Sequence, residues 1–369
     1  MSYVLACSHI GALTLAASLA SATVNTFSWI HPLPGDNRTN TAVLSRDGNV
    51  VTGLSVGSSP DLHTFRWTQP GSYQSLSAPA GSSALTFRSM NVDGSQLVGK
   101  ATLGGHPHAL TWTQATGAQF LAEPPGSSGS GASHSSSNGR FIVGQVDSSA
   151  ILWTDGVPTV LPLPAGTTGA GASAVSDDGN TAVGLASAPG SQGSPFKWTS
   201  SLGSVLLPTL TAGGYGEVLA LTPDGQIAAG RSGNSFTPKA ARWVGAAIES
   251  LGTLPGTTTS TAYAVSADGS VVVGDSGTGS HQHGFVWTPS TGMLDVNALV
   301  AASGYNLGFS SLLTITSISA DGRTIAGVGD YVLPSGELQA RDWVATIPAP
   351  SSLFVAFLSC ACWRRRRGV

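Results

Sequence analysis

Between Ser8 and Ser359 the chain contains no cysteine. The three it has, Cys7, Cys360 and Cys362, lie near the ends, so the body holds neither a disulfide framework nor a cysteine-based zinc site. Charge is scarce too. Asp, Glu, Lys and Arg make up 9% of the 369 residues, against roughly 25% in an average soluble domain. Surface helices are built from Glu, Lys and Arg, so this scarcity argues against a helical fold. The net charge of −3 gives no general attraction to nucleic acid. The one dense basic run, Arg364, Arg365, Arg366 and Arg367, follows an apolar stretch, which favours a membrane over a nucleic acid. There is no phosphate loop ending in Gly-Lys-Ser/Thr, and no Gly-x-Ser-x-Gly elbow in a strand–turn–helix setting; Gly129-Ser130-Gly131 lies in a low-complexity loop. No motif calls for a cofactor, and none marks the chain as an enzyme.

Apolar residues, by contrast, reach 41%, ample for a core, and the 48 glycines suit short strands joined by tight turns. The composition reads as all-β.

A repeat dominates the sequence. Trp67, Trp112, Trp153, Trp198, Trp243, Trp287 and Trp343 follow one another at intervals of 45, 41, 45, 45, 44 and 56 residues. Each is preceded by an acidic or amide residue before glycine: Asp47, Asp93, Asn138, Asp178, Asp224, Asp268 and Asp321. In the clearest unit, Ala262 to Ser266 and Val271 to Gly274 are apolar runs flanking Asp268-Gly269, a strong hairpin signal. Gly284 to Thr288 gives a third strand, and Met293 to Val296 a fourth after the turn Pro289 to Gly292. Four strands in about 45 residues make one blade, so residues 23–347 predict a seven-bladed β-propeller. An open β solenoid of the same repeats is the alternative. Aromatics two apart, Phe65 and Trp67, Phe196 and Trp198, Phe285 and Trp287, share a strand face and are expected to pack between blades. The last unit ends at Ile347 without a fourth strand, while Thr23 to Ile30 carries an unpaired strand that would complete it.

The two ends read as addresses. Val4 to Ala22 is apolar and ends Ala20-Ser21-Ala22, so residues 1–22 predict a signal peptide cleaved after Ala22. Its start carries no Lys or Arg, so the signal is atypical or begins upstream. Residues 348–369 hold a proline stalk with Pro348 and Pro350, eleven apolar residues from Leu353 to Trp363, and the four arginines. Eleven is short of the roughly 20 residues that span a bilayer as a helix, though arginine stems extend the reach. The positive-inside rule would hold Arg364 to Arg367 in the cytoplasm and the body outside.

That order of parts resembles the PEP-CTERM sorting signal of Gram-negative bacteria, with Ala349 where the family has Glu. The resemblance implies exosortase-type sorting machinery as a partner, and membrane contact through the tail. The body resembles the extracellular HAF repeats in Ala264 to Gly269, Val273-Gly274, His283 to Thr288 and Gly252 to Gly256. This implies an exported or surface protein and no characterised activity.

Candidate chemistry is sparse. His63, His108 and His283 share a position four before the Trp, held elsewhere by Ser149, Ser194, Lys239 and Gln339. Equivalent points on different blades do not meet at one ion, so the position reads as polar rather than metal-binding. The turn aspartates stabilise their turns. The remaining carboxylates, Glu123, Asp147, Asp155, Glu217, Glu249, Asp275 and Asp295, are scattered, and Asp177-Asp178 are adjacent. The loops Gly126 to Ser137 and Ala186 to Gly193 are expected to be exposed and variable. The chain therefore reads as an exported, non-catalytic binding or structural module, whose candidate partners are glycan or matrix polymer. The alternative is an exported polysaccharide hydrolase or lyase with carboxylates converging at the channel mouth.

Overall fold

The computed structural model describes residues 24–57, 62–279 and 281–348. The signal peptide at 1–22, Cys7, and the tail from Ala349 onward, with Pro350, Cys360, Cys362 and Arg364 to Arg367, lie outside the described residues. No described helix is long and apolar enough to cross a membrane.

Alternating apolar and polar residues, interrupted by Asp-Gly turns, fold into seven four-stranded antiparallel sheets. Blades 1 to 6 occupy residues 38–76, 83–120, 130–160, 169–206, 215–252 and 259–295, each running outward in chain order from the channel. Blade 7 has inner strands Ser311–Ile318, Thr324–Val332 and Leu338–Thr346, and takes its outer strand, Thr26–Trp29, from the other end of the chain. That strand is antiparallel, with Thr26 opposite Thr346 and Trp29 opposite Trp343. The ring is thus closed by pairing its first strand with its last, which no open solenoid does.

Seven hydrophobic clusters among the described residues each bridge two neighbouring blades. One joins Val98 and Ala109 of blade 2 to Ile142 and Trp153 of blade 3. Another joins Ala326 and Val344 of blade 7 to Val51 and Phe65 of blade 1. A single blade cannot bury both its faces, so the core is divided among the interfaces. Each repeated Trp packs against the preceding blade: Trp153 is fully buried and donates its Nε1–H to the Ala122 carbonyl at 2.6 Å, and Trp243 donates to Pro208 at 2.8 Å.

Two expectations need correction. Trp343 is not the register equivalent of the other six. Trp67, Trp112, Trp153, Trp198, Trp243 and Trp287 lie opposite the residue two before the second-strand glycine, whereas Trp343 lies opposite Gly327 itself, where Phe65, Phe196 and Phe285 sit in their blades. Its indole nitrogen is buried without a partner, consistent with a ring displaced by two positions from the site where Trp153 and Trp243 find a carbonyl. The second concerns the fourth strand of blade 6, which is Gly292–Asp295; Val296 instead opens helix α1 (Val296–Ala302). The Asp295 side chain accepts the Asn297 amide at 2.8 Å and caps that helix, which buries Val296, Leu299 and Val300 against blades 6 and 7.

Candidate functional site

The Asp-Gly turns join the inner strand of each blade to the second, and all gather at one end of the ring. In each, the acidic or amide oxygen accepts the amide two residues on: Asn49 to Asp47 at 3.0 Å, Arg140 to Asn138 at 3.0 Å, Asn180 to Asp178 at 2.9 Å, and likewise at Asp93, Asp224, Asp268 and Asp321. In every blade but the second, where Asn91 stands, a hydroxyl two residues before adds a second bond, as Ser176 to Asp178 at 2.6 Å, and these bonds hold the Asp178 carboxyl below the usual carboxylate range. Asp177, whose pairing with Asp178 tells nothing in sequence, sits in a turn rather than a strand and accepts the Ser137 amide of blade 3 at 2.7 Å.

At this turn end the channel is narrow. The Arg46 guanidinium crosses from blade 1 to the Ser137 hydroxyl of blade 3 at 3.3 Å, with the Asp177 charge of blade 4 close by. A cavity of about 140 Å³ remains there, lined also by His134, whose burial lowers its pKa to about 3 and keeps it neutral.

The opposite end opens. Each inner strand bulges at the same point, and the residue left out of the ladder is Arg88, Ser133, Ser173, Leu219, Tyr263 or Thr316, with Thr41 and Ala42 together in blade 1. A bulge re-aims its side chain, and here all of them line one cavity of about 500 Å³. The bulge depends on glycine in the second strand: a Cβ on Gly99, Gly184 or Gly274 would lie 1.9–2.0 Å from the inner-strand carbonyl oxygen. The residue after that glycine lines this cavity or its neighbours in blades 1 to 4, as Leu54, Lys100, Gln145 and Leu185, and in blades 5 and 6 it is Arg231 and Asp275. Two further cavities, of about 490 and 410 Å³, share Ser133 and Gln145 and widen the mouth over blades 2 to 4.

Of the scattered carboxylates, Glu217 lines this mouth, and Asp275 is buried behind it beside Tyr263. Glu217 of blade 5 lies opposite Arg231 in the ladder, and its Oε2 accepts from Arg231 Nη2 at 2.7 Å and from the Tyr215 hydroxyl at 2.8 Å. Asp275 of blade 6 accepts from the Thr314 hydroxyl at 3.3 Å; burial raises its pKa to about 6, an effect offset in part by Thr314, Tyr263 and the Arg231 charge. Tyr263 is pushed up to about 12 by burial and by Asp275. Asp147 of blade 3 lines the cavity it shares with Arg88 and Lys100, its Oδ1 accepting from the Ser128 amide and hydroxyl; away from the mouth, Asp155 pairs with Arg140 and Glu249 with Arg242.

The three histidines lie in blades 1, 2 and 6, each with its own carboxylate: His63 with Asp36 at 3.0 Å, His108 with Glu123 at 2.9 Å, His283 with Asp295 at 2.7 Å. Among the described residues no group of three metal-ligating side chains comes together. Pro348 follows the last strand of the ring. Of the two loops expected to be variable, Gly126 to Ser137 divides: Ser130–Ser135 is the inner strand of blade 3.

Sequence reasoning missed the mouth residues, although a signal was present. Counting back three from the Ser, Thr or Asn that begins each turn lands on the bulged position in every unit, and Arg88 and Tyr263 stand out there among small or aliphatic residues.

No family model and no curated protein matches this chain. Solved propellers do. Over 93% of its length the chain is similar to a prolyl endopeptidase, at 10% identity and a TM-score of 0.56, covering 53% of that chain. It is similar over 85% to an acylaminoacyl peptidase, at 9% identity and a TM-score of 0.54, covering 52% of that chain. The chain thus spans about half the length of these two peptidases. The β-propeller domain of the Trilobed protease from Pyrococcus furiosus matches over 86% of this chain and 96% of its own, at 7% identity and a TM-score of 0.51. At such identities the likeness establishes the fold alone: this chain is a seven-bladed β-propeller.

Proposed function

We propose that this chain is an exported surface propeller that binds an extended polymer, glycan or matrix, at the open mouth of its channel without transforming it. The observation that carries this reading is the placement of charge. In a chain with 9% charged residues, Arg88, Lys100 and Glu217 line one concavity whose far end Arg46 crosses, and Arg231 holds Glu217 from behind. The concavity is open and mixes charged and hydroxyl side chains with apolar ones, which suits a chain segment laid across it better than an enclosed small molecule. Export and sorting are proposed from the leader and the PEP-CTERM-like tail, with exosortase-type machinery as the partner in processing. The test is a binding screen of the full chain against immobilised neutral and acidic polysaccharides and matrix proteins. Retention on at least one polymer, lost on mutation of the mouth, is expected; no retention on any of them overturns the reading.

One observation favours a second reading. Glu217 lines the mouth, and Asp275 of the next blade, buried beside the mouth residue Tyr263, is held near 6, within the range of a general acid. A hydrolase or lyase would release new reducing ends or unsaturated products from a bound polysaccharide. Their absence at stoichiometric enzyme over a range of pH would leave the binding module.

A further inference from the structure

We propose that the mouth selects an acidic polysaccharide, whose carboxylates are held by Arg88 and Lys100 and whose hydroxyls are accepted by Glu217. This rests on the binding-module reading and names its ligand class. Arg88 and Lys100 stand on the inner and second strands of blade 2 and line the same cavities. Among the described residues neither makes an ion pair, whereas Arg140, Arg231 and Arg242 each have a carboxylate. Asp147 and Glu217 line the same cavities but neither forms an ion pair with Arg88 or Lys100, so two like charges on neighbouring strands repel each other and are stabilised by a bound anion.

Across the channel, blades 5 and 6 present the opposite chemistry. Glu217 spends Oε2 on Arg231 and Tyr215, which leaves Oε1 without a hydrogen-bond partner among the described residues. A carboxylate held in place by an arginine is a fixed acceptor for a ligand hydroxyl. Sugar acids carry both groups, an anionic carboxylate and neighbouring hydroxyls, on one ring. A free phosphate or DNA would satisfy the blade 2 cations but brings few or no hydroxyls for Glu217 to accept. The same end of the ring displays Phe236, 84% exposed at the hairpin of blade 5, and Phe309, 92% exposed before blade 7. Apolar sugar faces stack on such rings.

The test is calorimetric titration of the full chain with polygalacturonate, dextran and poly-glutamate. Polygalacturonate is expected to bind, to weaken as salt rises, and to weaken by roughly tenfold or more in Arg88→Ala and in Lys100→Ala. Arg140→Ala, an exposed pair away from the mouth, should bind as the unaltered chain does and controls for nonspecific charge loss. Equal binding of dextran, indifferent to Arg88 and Lys100, would overturn the acidic ligand and leave the module. Preference for poly-glutamate would overturn the sugar class. Silence toward all three polymers, in a protein whose thermal unfolding is unchanged, would overturn the acidic-glycan assignment; the wider screen then decides the module reading separately.

Discussion

The backbone amide of Ala320, in the last Asp-Gly turn, donates to the carbonyl of Arg46, in the first, at 2.6 Å. The bond belongs to a belt around the turn end of the channel. Asp47 donates to Val92 at 2.9 Å, Val92 to Ser137 at 2.9 Å, Asp177 to Pro223 at 2.8 Å, and Ala267 to Ala320 at 2.9 Å, while the Asp177 side chain bridges blades 3 and 4. The belt breaks only after Pro223, because proline has no amide hydrogen to pass on to blade 6. Blades 7 and 1 are therefore joined by polar bonds at the channel, by a shared apolar core, and by the outer strand Thr26–Trp29.

Removing residues 24–30 should lower the midpoint of thermal unfolding and promote self-association. Without them the strand Leu338–Thr346 becomes a bare edge, and Phe27 and Trp29 no longer pack on Trp343 and Tyr331 at ring separations of 6.1 and 5.3 Å. Calorimetry with light scattering checks this; an unchanged midpoint and a monodisperse solution would refute the closing role of the strand.

Trp153→Ala should cost about 3–5 kcal/mol in denaturant unfolding, because it empties a fully buried site between blades 2 and 3 and orphans the Ala122 carbonyl. Trp198→Ala should cost less, since that ring is only partly buried. The ranking of the two is the quantity to measure.

Asp342→Ala should stabilise the protein at neutral pH. Its carboxyl is fully buried between blades 7 and 1, at a position where other blades place Ala109, Ala150, Ala240 or Gly284. The Ala42 amide offsets part of the burial, but neither oxygen makes a full hydrogen bond, and the pKa lies well above 3.8. A raised acid pKa means the folded state holds the proton longer than the unfolded chain. Stability is therefore undiminished below about pH 4 and falls as pH climbs toward the folded pKa. Asp275 adds a smaller loss that is complete just above about 6. The alanine variant should gain about 1–3 kcal/mol at pH 7 and nothing at pH 3.5. An equal change at both pH values would show that the carboxyl does not titrate in this way.

Gly230→Ala should both destabilise blade 5 and weaken any binding at the mouth. Its Cβ would lie 2.0 Å from the Glu217 carbonyl oxygen, so the strand carrying Glu217 must move away from the strand carrying Arg231. Gly156→Ala, at an open hairpin with no atom within 4 Å, should cost far less, though its φ of 81° leaves some strain. Unfolding midpoints of the two variants, measured together, separate steric exclusion from backbone strain.

Much of this architecture is legible in the residues, because the signals are local. Asp268-Gly269 needs only its own dihedrals to form a turn, and Phe285 and Trp287 share a face by the pleat alone. Trp343 shows where such reading stops. In sequence it is the seventh marker, yet its register is fixed by pairing with Gly327 and with Trp29 from the other end of the chain. Helix α1 was hidden because Asp295 looks like the end of a strand until its side chain caps Asn297.

The repeat by itself determined the blade, the number of blades and the unpaired strand that closes the ring, since each follows from periodicity along the chain. Only the tertiary structure decided the mouth. Arg88 and Lys100 lie on one blade and Glu217 on another, and nothing in their spacing brings them to one cavity. Closure does, by turning the bulged position of every inner strand toward the same axis, and it is closure too that buries Asp342 where its neighbours in other blades are small.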